Sequence, residues 1–285
     1  MNHCARCGRE LPSFSVGEHD PLCRECRATA AFAQPGAVPV PQARPRIRHT
    51  VTTILVGINV AVFVGMVATG VSLSRPTPHQ LLLWGADFAP LTLDGQLWRM
   101  LTSNYVHIGL LHIALNMWCL WNLGALAEMV FDPWTYVLAY TASGLAGSLA
   151  SLWLHPLAVG AGASGAIFGL AGTTIAALYL GKLPIPRSAI QGTLKSLLMF
   201  AGYNLFFGAV VPGIDNSAHI GGLIAGLLVG AGLASSLHAP PDVRTARKRM
   251  VFIASAVVLY AGTIYVTRQY RARAPQRPPV ATPNQ

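Results

Sequence analysis

Serine, histidine and asparagine stand at a few places where the surrounding chain is almost entirely apolar. Ser164 lies in Gly162-Ala163-Ser164-Gly165, and His219 in Ala218-His219-Ile220-Gly221-Gly222. His112 and Asn116 are four residues apart in a run that begins near His107. Serine is a weak nucleophile until a base takes its proton, and imidazole, with an intrinsic pKa near 6.5, is the matching base. Acyl transfer also needs donors for the oxyanion. Unpaired backbone N–H groups at a helix start near Ser164 would supply some. His112 and Asn116, sharing one helix face, could add side-chain donors. A full triad would need a carboxylate to orient the base. Asp215, four residues before His219, is the only acid near, and it reads as part of an outer loop. The expectation is therefore a Ser164–His219 dyad, with Phe168, one turn after Ser164, able to hold the imidazole by stacking.

Each feature alone has a plainer explanation. Ser164 between glycines suits a small-residue packing contact. Asn116 suits a helix–helix hydrogen bond, and His219 a satisfied interior histidine. Gly165/Gly169 and Gly222/Gly226 are GxxxG pairs, which by themselves signal only close packing. Together they say more. Gly222 and Gly226 follow His219 by three and seven residues, on its own face. That face, pressed on the one bearing Ser164, would bring imidazole beside hydroxyl.

The elements that must position these groups are membrane spans. Of 285 residues, 53% are hydrophobic and 11% charged, with a mean hydropathy of +0.47, against about 25% charged in soluble proteins. This excludes a disordered chain and argues against a soluble enzyme. Seven apolar segments, 51–71, 107–127, 134–154, 163–180, 193–211, 216–237 and 250–266, are each near the length needed to cross about 30 Å of hydrocarbon. The net charge of +10 rests on arginines and lysines flanking the spans, as in Arg44, Arg46 and Arg48 before the first, or Arg244, Arg247, Lys248 and Arg249 between the last two. That is the positive-inside pattern, not the aromatic-interleaved patch of a nucleic-acid binder. It predicts a cytoplasmic N-terminus and an active site opening to the extracytoplasmic side. Seven spans then put the basic tail, with Arg268, Arg271, Arg273 and Arg277, outside, against the same rule: either a short basic tail is translocated or the seventh segment is not a full span. Between the first two segments a long connection, 72–106, with Trp84, Trp98 and Arg99, reads as folded at the membrane interface. From Ser164 to Leu180 is 16 steps, about 24 Å of helix, so Ser164 would lie below the outer face in a wet cavity.

The N-terminus carries separate chemistry. Cys4-x2-Cys7 and Cys23-x2-Cys26 are separated by fifteen residues, a spacing that suits a tetrahedral zinc site. Two disulfides or four unrelated thiols are the competing explanations, the disulfides disfavoured on the reducing cytoplasmic side. Four cysteine ligands close the coordination sphere, so the metal's role would be structural or partner-binding. Cys119, within the second segment, reads as a small buried apolar residue.

On four features in this order the sequence resembles the rhomboid intramembrane serine proteases. They are Trp98-Arg99; His107, His112 and Asn116 as HxxxxHxxxN; Gly162-Ala163-Ser164-Gly165; and Ala218-His219-x2-Gly222-x3-Gly226. The resemblance covers about 50–237. It implies Ser164 as nucleophile, His219 as general base, and His112, Asn116 and the Gly162 segment around the oxyanion. It also implies single-span membrane protein substrates, cut at small residues after local unwinding, with no cofactor for catalysis. Phe168 departs from the family's frequent tyrosine. The seventh segment and the zinc-ribbon-like module lie beyond the core.

The expected fold is thus an all-α polytopic membrane protein: a six-helix rhomboid-like core with a seventh C-terminal transmembrane helix. The expected divisions are a module at 1–28, a Pro/Arg linker at 29–49, the core at 50–237, a basic loop and seventh helix at 238–267, and a disordered basic tail at 268–285. Partners would be single-span substrates, the lipid bilayer and a cytoplasmic protein docking on the zinc module, with no nucleic acid. The alternative to a protease is a non-catalytic adaptor binding client transmembrane segments. A proton-relay transporter is disfavoured by the lack of an inverted repeat or an intramembrane carboxylate pair.

Overall fold

The computed structural model describes residues 3, 4, 7–10, 23, 25, 26, 50–181 and 183–273. The linker at 29–49 lies outside the described residues, as does most of the 1–28 module. The chain divides into two compact units, Met1–Arg46 and Ile47–Gln285. In the first, the described residues include an isolated bridge between His3 and Glu10 and an ion pair of Arg9 with Glu25 at 2.7 Å.

The second unit is helical throughout its described residues, with a single backbone bridge and no strand. Its helices are α1 (Thr50–Ala68), the short α2 (Pro78–Leu83), α3 (Ala89–Thr92) and α4 (Arg99–Thr102), then α5 (Leu110–Val130), α6 (Pro133–Leu154), α7 (Ser164–Leu180), α8 (Arg187–Val210), α9 (Asn216–Ala234) and α10 (Pro241–Arg273). Six of them, α1, α5, α6, α8, α9 and α10, are long and apolar enough to cross a membrane. With the family shown below, this is an integral multi-pass membrane protein. The seven apolar segments all form helices, but α7 at 17 residues is shorter than the six, about 26 Å.

Helix starts are set by polar residues. Asp132 caps α6, accepting from Thr135 N–H at 3.3 Å and the Thr135 hydroxyl at 2.8 Å, with Pro133 at the first helical position. The start of α1 is capped from another helix. Glu128 of α5 accepts from the N–H groups of Thr50 and Thr52 at 2.8 and 2.7 Å, and from the Thr52 hydroxyl at 2.7 Å.

Packing is tightest where α7 meets α9. A methyl group on Gly222 would collide with the carbonyl of Gly165, and one on Gly226 with that of Gly169. Only glycine lets two backbones approach so closely. Thirteen of the seventeen residues of α7 are buried, so it is the centre of the bundle.

The C-terminal region differs from the sequence expectation. The stretch read as a basic loop is helical from Pro241, and α10 continues through Arg273, into the segment read as a disordered tail. Proline at the first turn favours a helix start, and Ala, Arg and Lys are good helix formers. Residues 274–285 lie outside the described residues. At one end of α10, Lys248 pairs with Asp132 at 2.5 Å and Arg247 donates to Ser235 Oγ at 2.9 Å. At the other, Val266 packs in a cluster with Ala89, Leu93, Met100 and Leu152.

Candidate active site

Ser164 is the first residue of α7, and Ala163 before it offers no side-chain cap. The first N–H groups of this helix thus have neither an intrahelical partner nor a side-chain acceptor, and the helix dipole favours negative charge there. Gly162 holds φ at +132°, a conformation that side chains rarely adopt. A Cβ there would also sit 2.7 Å from His112 Cε1 and 2.9 Å from Nε2. Glycine is therefore needed twice, for the bend into α7 and for room against the imidazole.

His112 is oriented by its own helix start. Its Nδ1 faces the N–H of Ile108 at 3.2 Å and must accept from it. In the neutral ring this assigns the proton to Nε2, on the edge that lies against Gly162. Asn116, 6% exposed, donates one amide hydrogen to the His112 carbonyl at 2.9 Å, and its second amide hydrogen remains. His107 is fully buried, with its ring 5.3 Å from that of His112 and its Nδ1 3.2 Å from the Tyr105 carbonyl.

His219 occupies the first turn of α9. Phe168 stacks on its imidazole, with ring centroids 4.4 Å apart and planes 9° from parallel. Beside it, the Ala218 carbonyl nests between two glycines, 2.7 Å from a Cβ on Gly147 and 3.3 Å from one on Gly165. The start of α9 is thus level with the start of α7. Among the described residues Ser164 Oγ and His219 share no hydrogen bond. Such contacts are often loose before substrate binds.

Asp215 does not act on the imidazole through a hydrogen bond. It caps α9, accepting from Ser217 N–H at 3.0 Å and Ala218 N–H at 3.2 Å, and from the Ser217 hydroxyl. Burial raises its carboxyl, but hydrogen bonds from Ser151, Ser217 and Ala218 outweigh this and hold it below the usual range. His219 Nδ1 is buried with no partner among the described residues. Tyr203, Phe206 and Phe207, each more than half exposed, lie on the outer face of α8, away from the packed core.

The connection between α1 and α5 reaches the site through its backbone. Asp87 and Gly160 exchange both N–H···O bonds at 2.8 Å, and Gly162 N–H donates to the Ser103 carbonyl at 2.9 Å. Two hydrogen-bonded clamps thus hold the strand-like segment leading into Ser164. Arg99 keeps the clamp in shape, donating to the carbonyls of Leu82 at 2.7 Å and Ala86 at 3.1 Å and to Gln96 Oε1 at 2.7 Å. Its guanidinium lies 4.7 Å from the centre of the Trp98 ring, so the Trp98-Arg99 pair is structural. Asp87, 2% exposed, accepts from the Thr92 hydroxyl at 2.5 Å. Burial pushes its carboxyl up to about 6, against the downward pull of Thr92, Ser148 and the charge of Arg99. Sequence reasoning missed Asp87 and Ser103. The available signal was an acid in an acid-poor chain, between Gly85 and Pro90.

In the N-terminal unit, the sulfurs of Cys4, Cys7, Cys23 and Cys26 lie within 4.8 Å of one another, and none forms a disulfide. The Cys7–Cys23 separation of 3.7 Å matches the edge of a tetrahedron with metal–sulfur bonds of about 2.3 Å, roughly 3.8 Å. Backbone N–H groups of Cys23 and Cys26 point at Cys4 Sγ and Cys23 Sγ, at 3.2 and 3.4 Å. The four thiols could hold a metal ion.

Together, fold and site define a polytopic helical membrane protein in which a helix-opening serine lies level with a stacked histidine. The Rhomboid domain family model matches residues 94–236, and the chain belongs to the rhomboid family. It is 33% identical over 218 residues to rhomboid protease GluP of Bacillus subtilis, covering 76% of this chain and 40% of GluP. It is 29% identical over 230 residues to rhomboid protease AarA of Providencia stuartii, covering 73% of this chain and 79% of AarA. RHOMBOID-like protein 4 of Arabidopsis thaliana matches at 34% over 146 residues, 51% of this chain and 36% of that protein. The chain thus spans less than half the length of GluP and of RHOMBOID-like protein 4.

Proposed function

We propose that this protein is an intramembrane serine endopeptidase that cleaves single-span membrane proteins through an acyl-enzyme. Ser164 is the nucleophile. His219 takes its proton as general base and returns it to the leaving amine. The oxyanion is received by the N–H groups opening α7, by His112 Nε2–H and by the free amide hydrogen of Asn116, with Gly162 shaping the approach. No cofactor takes part. The observation that carries this reading is the stacking of Phe168, one turn from Ser164, on the imidazole of His219, in a chain of the rhomboid family.

The same reading gives seven spans, with α7 buried at the centre. Being short, α7 leaves its opening serine below the lipid surface, where non-helical backbone is tolerated only beside protein or water. The N-terminus is then cytoplasmic, the site opens to the extracytoplasmic side, and α10 ends outside. The four cysteines bind structural zinc, forming a surface that a cytoplasmic partner can use.

The test is cleavage of a panel of single-span substrates in liposomes. Wild type should cut, while Ser164→Ala and His219→Ala should fold and lose at least about a thousandfold in rate. If both variants cut at the original rate, the dyad assignment is wrong. A fold-competent wild type that binds substrates but cuts none, and leaves Ser164 unlabelled by a fluorophosphonate, would mark a non-catalytic adaptor instead.

A further inference from the structure

The helix α10 is held at its two ends, and toward its C-terminal end it rests on α6, where a Cβ on Gly262 would sit 2.8 Å from Leu149 Cδ2. A cleft of about 550 Å³ opens there, with walls from Leu97 and Met100 of the α1–α5 connection, Leu145 of α6, and Leu259 and Thr263 of α10. That volume is in the range of sites for small organic ligands. Most of the wall is carbon, with Tyr260, Thr263 and Thr267 of α10 adding hydroxyl-bearing side chains. The Thr263 hydroxyl is already spent on the Leu259 carbonyl of its own helix, at 2.8 Å. A mostly apolar gap among membrane spans is suited to hydrocarbon, since water inside it would find few partners.

One end of the cleft is different. Arg268 and Arg271 line it, three residues apart and so neighbours on one helix face. They follow directly on the apolar stretch of α10, at the depth where headgroups lie. Arg268 makes no ion pair among the described residues. Arg271 faces one acid, Asp94, at 3.7 Å, with both side chains more than 60% exposed, and its bond to the Leu93 carbonyl is long at 3.5 Å. So loose a pair holds little, and two guanidinium groups against one carboxylate leave net positive charge at the mouth.

We propose that this cleft binds one anionic phospholipid, its acyl chain lying between α6 and α10 and its phosphate between Arg268 and Arg271. Guanidinium suits phosphate because its fixed fork of donors matches two oxygens at once. The occupant touches Leu97 and Met100, and Met100 belongs to the connection that clamps the segment before Ser164. The lipid therefore fills the space between the last helix and that clamp.

The experiment measures lipid retained by the full chain in detergent, by native mass spectrometry, on titration with dioleoyl phosphatidylglycerol or dioleoyl phosphatidylcholine. Wild type should retain the phosphatidylglycerol about tenfold better. Arg268→Gln with Arg271→Gln should remove that preference. Thr263→Trp, which fills the cleft and keeps both arginines, should lower retention of both lipids. Arg247→Gln with Arg249→Gln, at the opposite end of α10, should leave the preference in place. Equal retention of the two lipids by wild type overturns the proposal. So does a preference that survives substitution of the outer arginine pair, retention of both lipids unchanged in Thr263→Trp, or a preference lost equally with the Arg247 and Arg249 pair. The readout is binding, so it stands whether or not the protein cuts substrates.

Discussion

The pair α7 and α9 and the pair α8 and α10 are built from similar apolar residues and behave as opposites. In α7 thirteen residues are buried, whereas α8 buries only Leu197 and Ala201 and α10 only Val251 and Val266. Glycines separate the two cases. Along α7 and α9 they remove side chains where backbones meet, so two helices become one rigid body. Along α8, Gly192 and Gly202 face open space, with nothing within 4 Å of an added Cβ, and only Gly208 near its end meets a neighbour, the side chain of Asn216. The proposed nucleophile and base sit one on each helix of the rigid pair, while the proposed donors His112 and Asn116 come from α5. In this bundle hydropathy finds the spans, but the face that glycine occupies decides which spans are core.

The strongest way to break this contrast is to add the same few atoms to both pairs. Gly226→Val should prevent α7 and α9 from closing and abolish both folded yield and cleavage. Gly202→Ala should be neutral or raise stability by up to about 1 kcal/mol. Thermal unfolding in one detergent measures both, and equal effects would dissolve the distinction. A smaller effect is expected within the rigid pair. Phe168→Leu keeps bulk but removes the ring on His219, and should slow cleavage about two- to tenfold, while Phe168→Tyr should hardly matter.

A third measurement concerns the clamp rather than the helices. Asp87 has its carboxyl raised to about 6 by burial, above an unfolded value of about 3.9. Between those values the folded state binds more protons than the unfolded one, so stability falls as pH rises through about 4 to 6. The shift of about two units corresponds to at most about 3 kcal/mol. Unfolding from pH 4 to 7 should therefore show wild type losing ground against Asp87→Asn, and parallel curves would refute the assignment. The smallest effect on cleavage belongs to the N-terminal unit. Purified protein should carry about one zinc per chain by elemental analysis, lost in Cys23→Ser. Cleavage by the bundle should stay within about twofold.

The sequence made the helices and the glycine faces legible because both are periodic. The stacking partner of His219 was legible for a similar reason: Phe168 is one helical turn from Ser164. The clamp was not. Asp87 with Gly160 and Ser103 with Gly162 pair through main-chain atoms, and such pairing leaves no residue-type signature. The capping by Asp215 was half visible, since its spacing from His219 fits both a triad and a helix start. Competing donors two and three residues on decided for the cap. The basic stretch before Met250 suggested a loop by charge, while its residues favour helix. Propensity and membrane topology are independent signals, and here the first prevailed over the expected break.

The commitment of Asp215 to the cap has one more outcome. In the proposed reaction the imidazole becomes a cation, and no carboxylate is bonded to it. The π cloud of Phe168 is what meets that positive ring, an attraction of roughly 0.5–2 kcal/mol. That is less support for the cation than a bonded carboxylate would give. In the proposed reaction turnover should accordingly be slow, which would favour neighbouring helices that linger at the site.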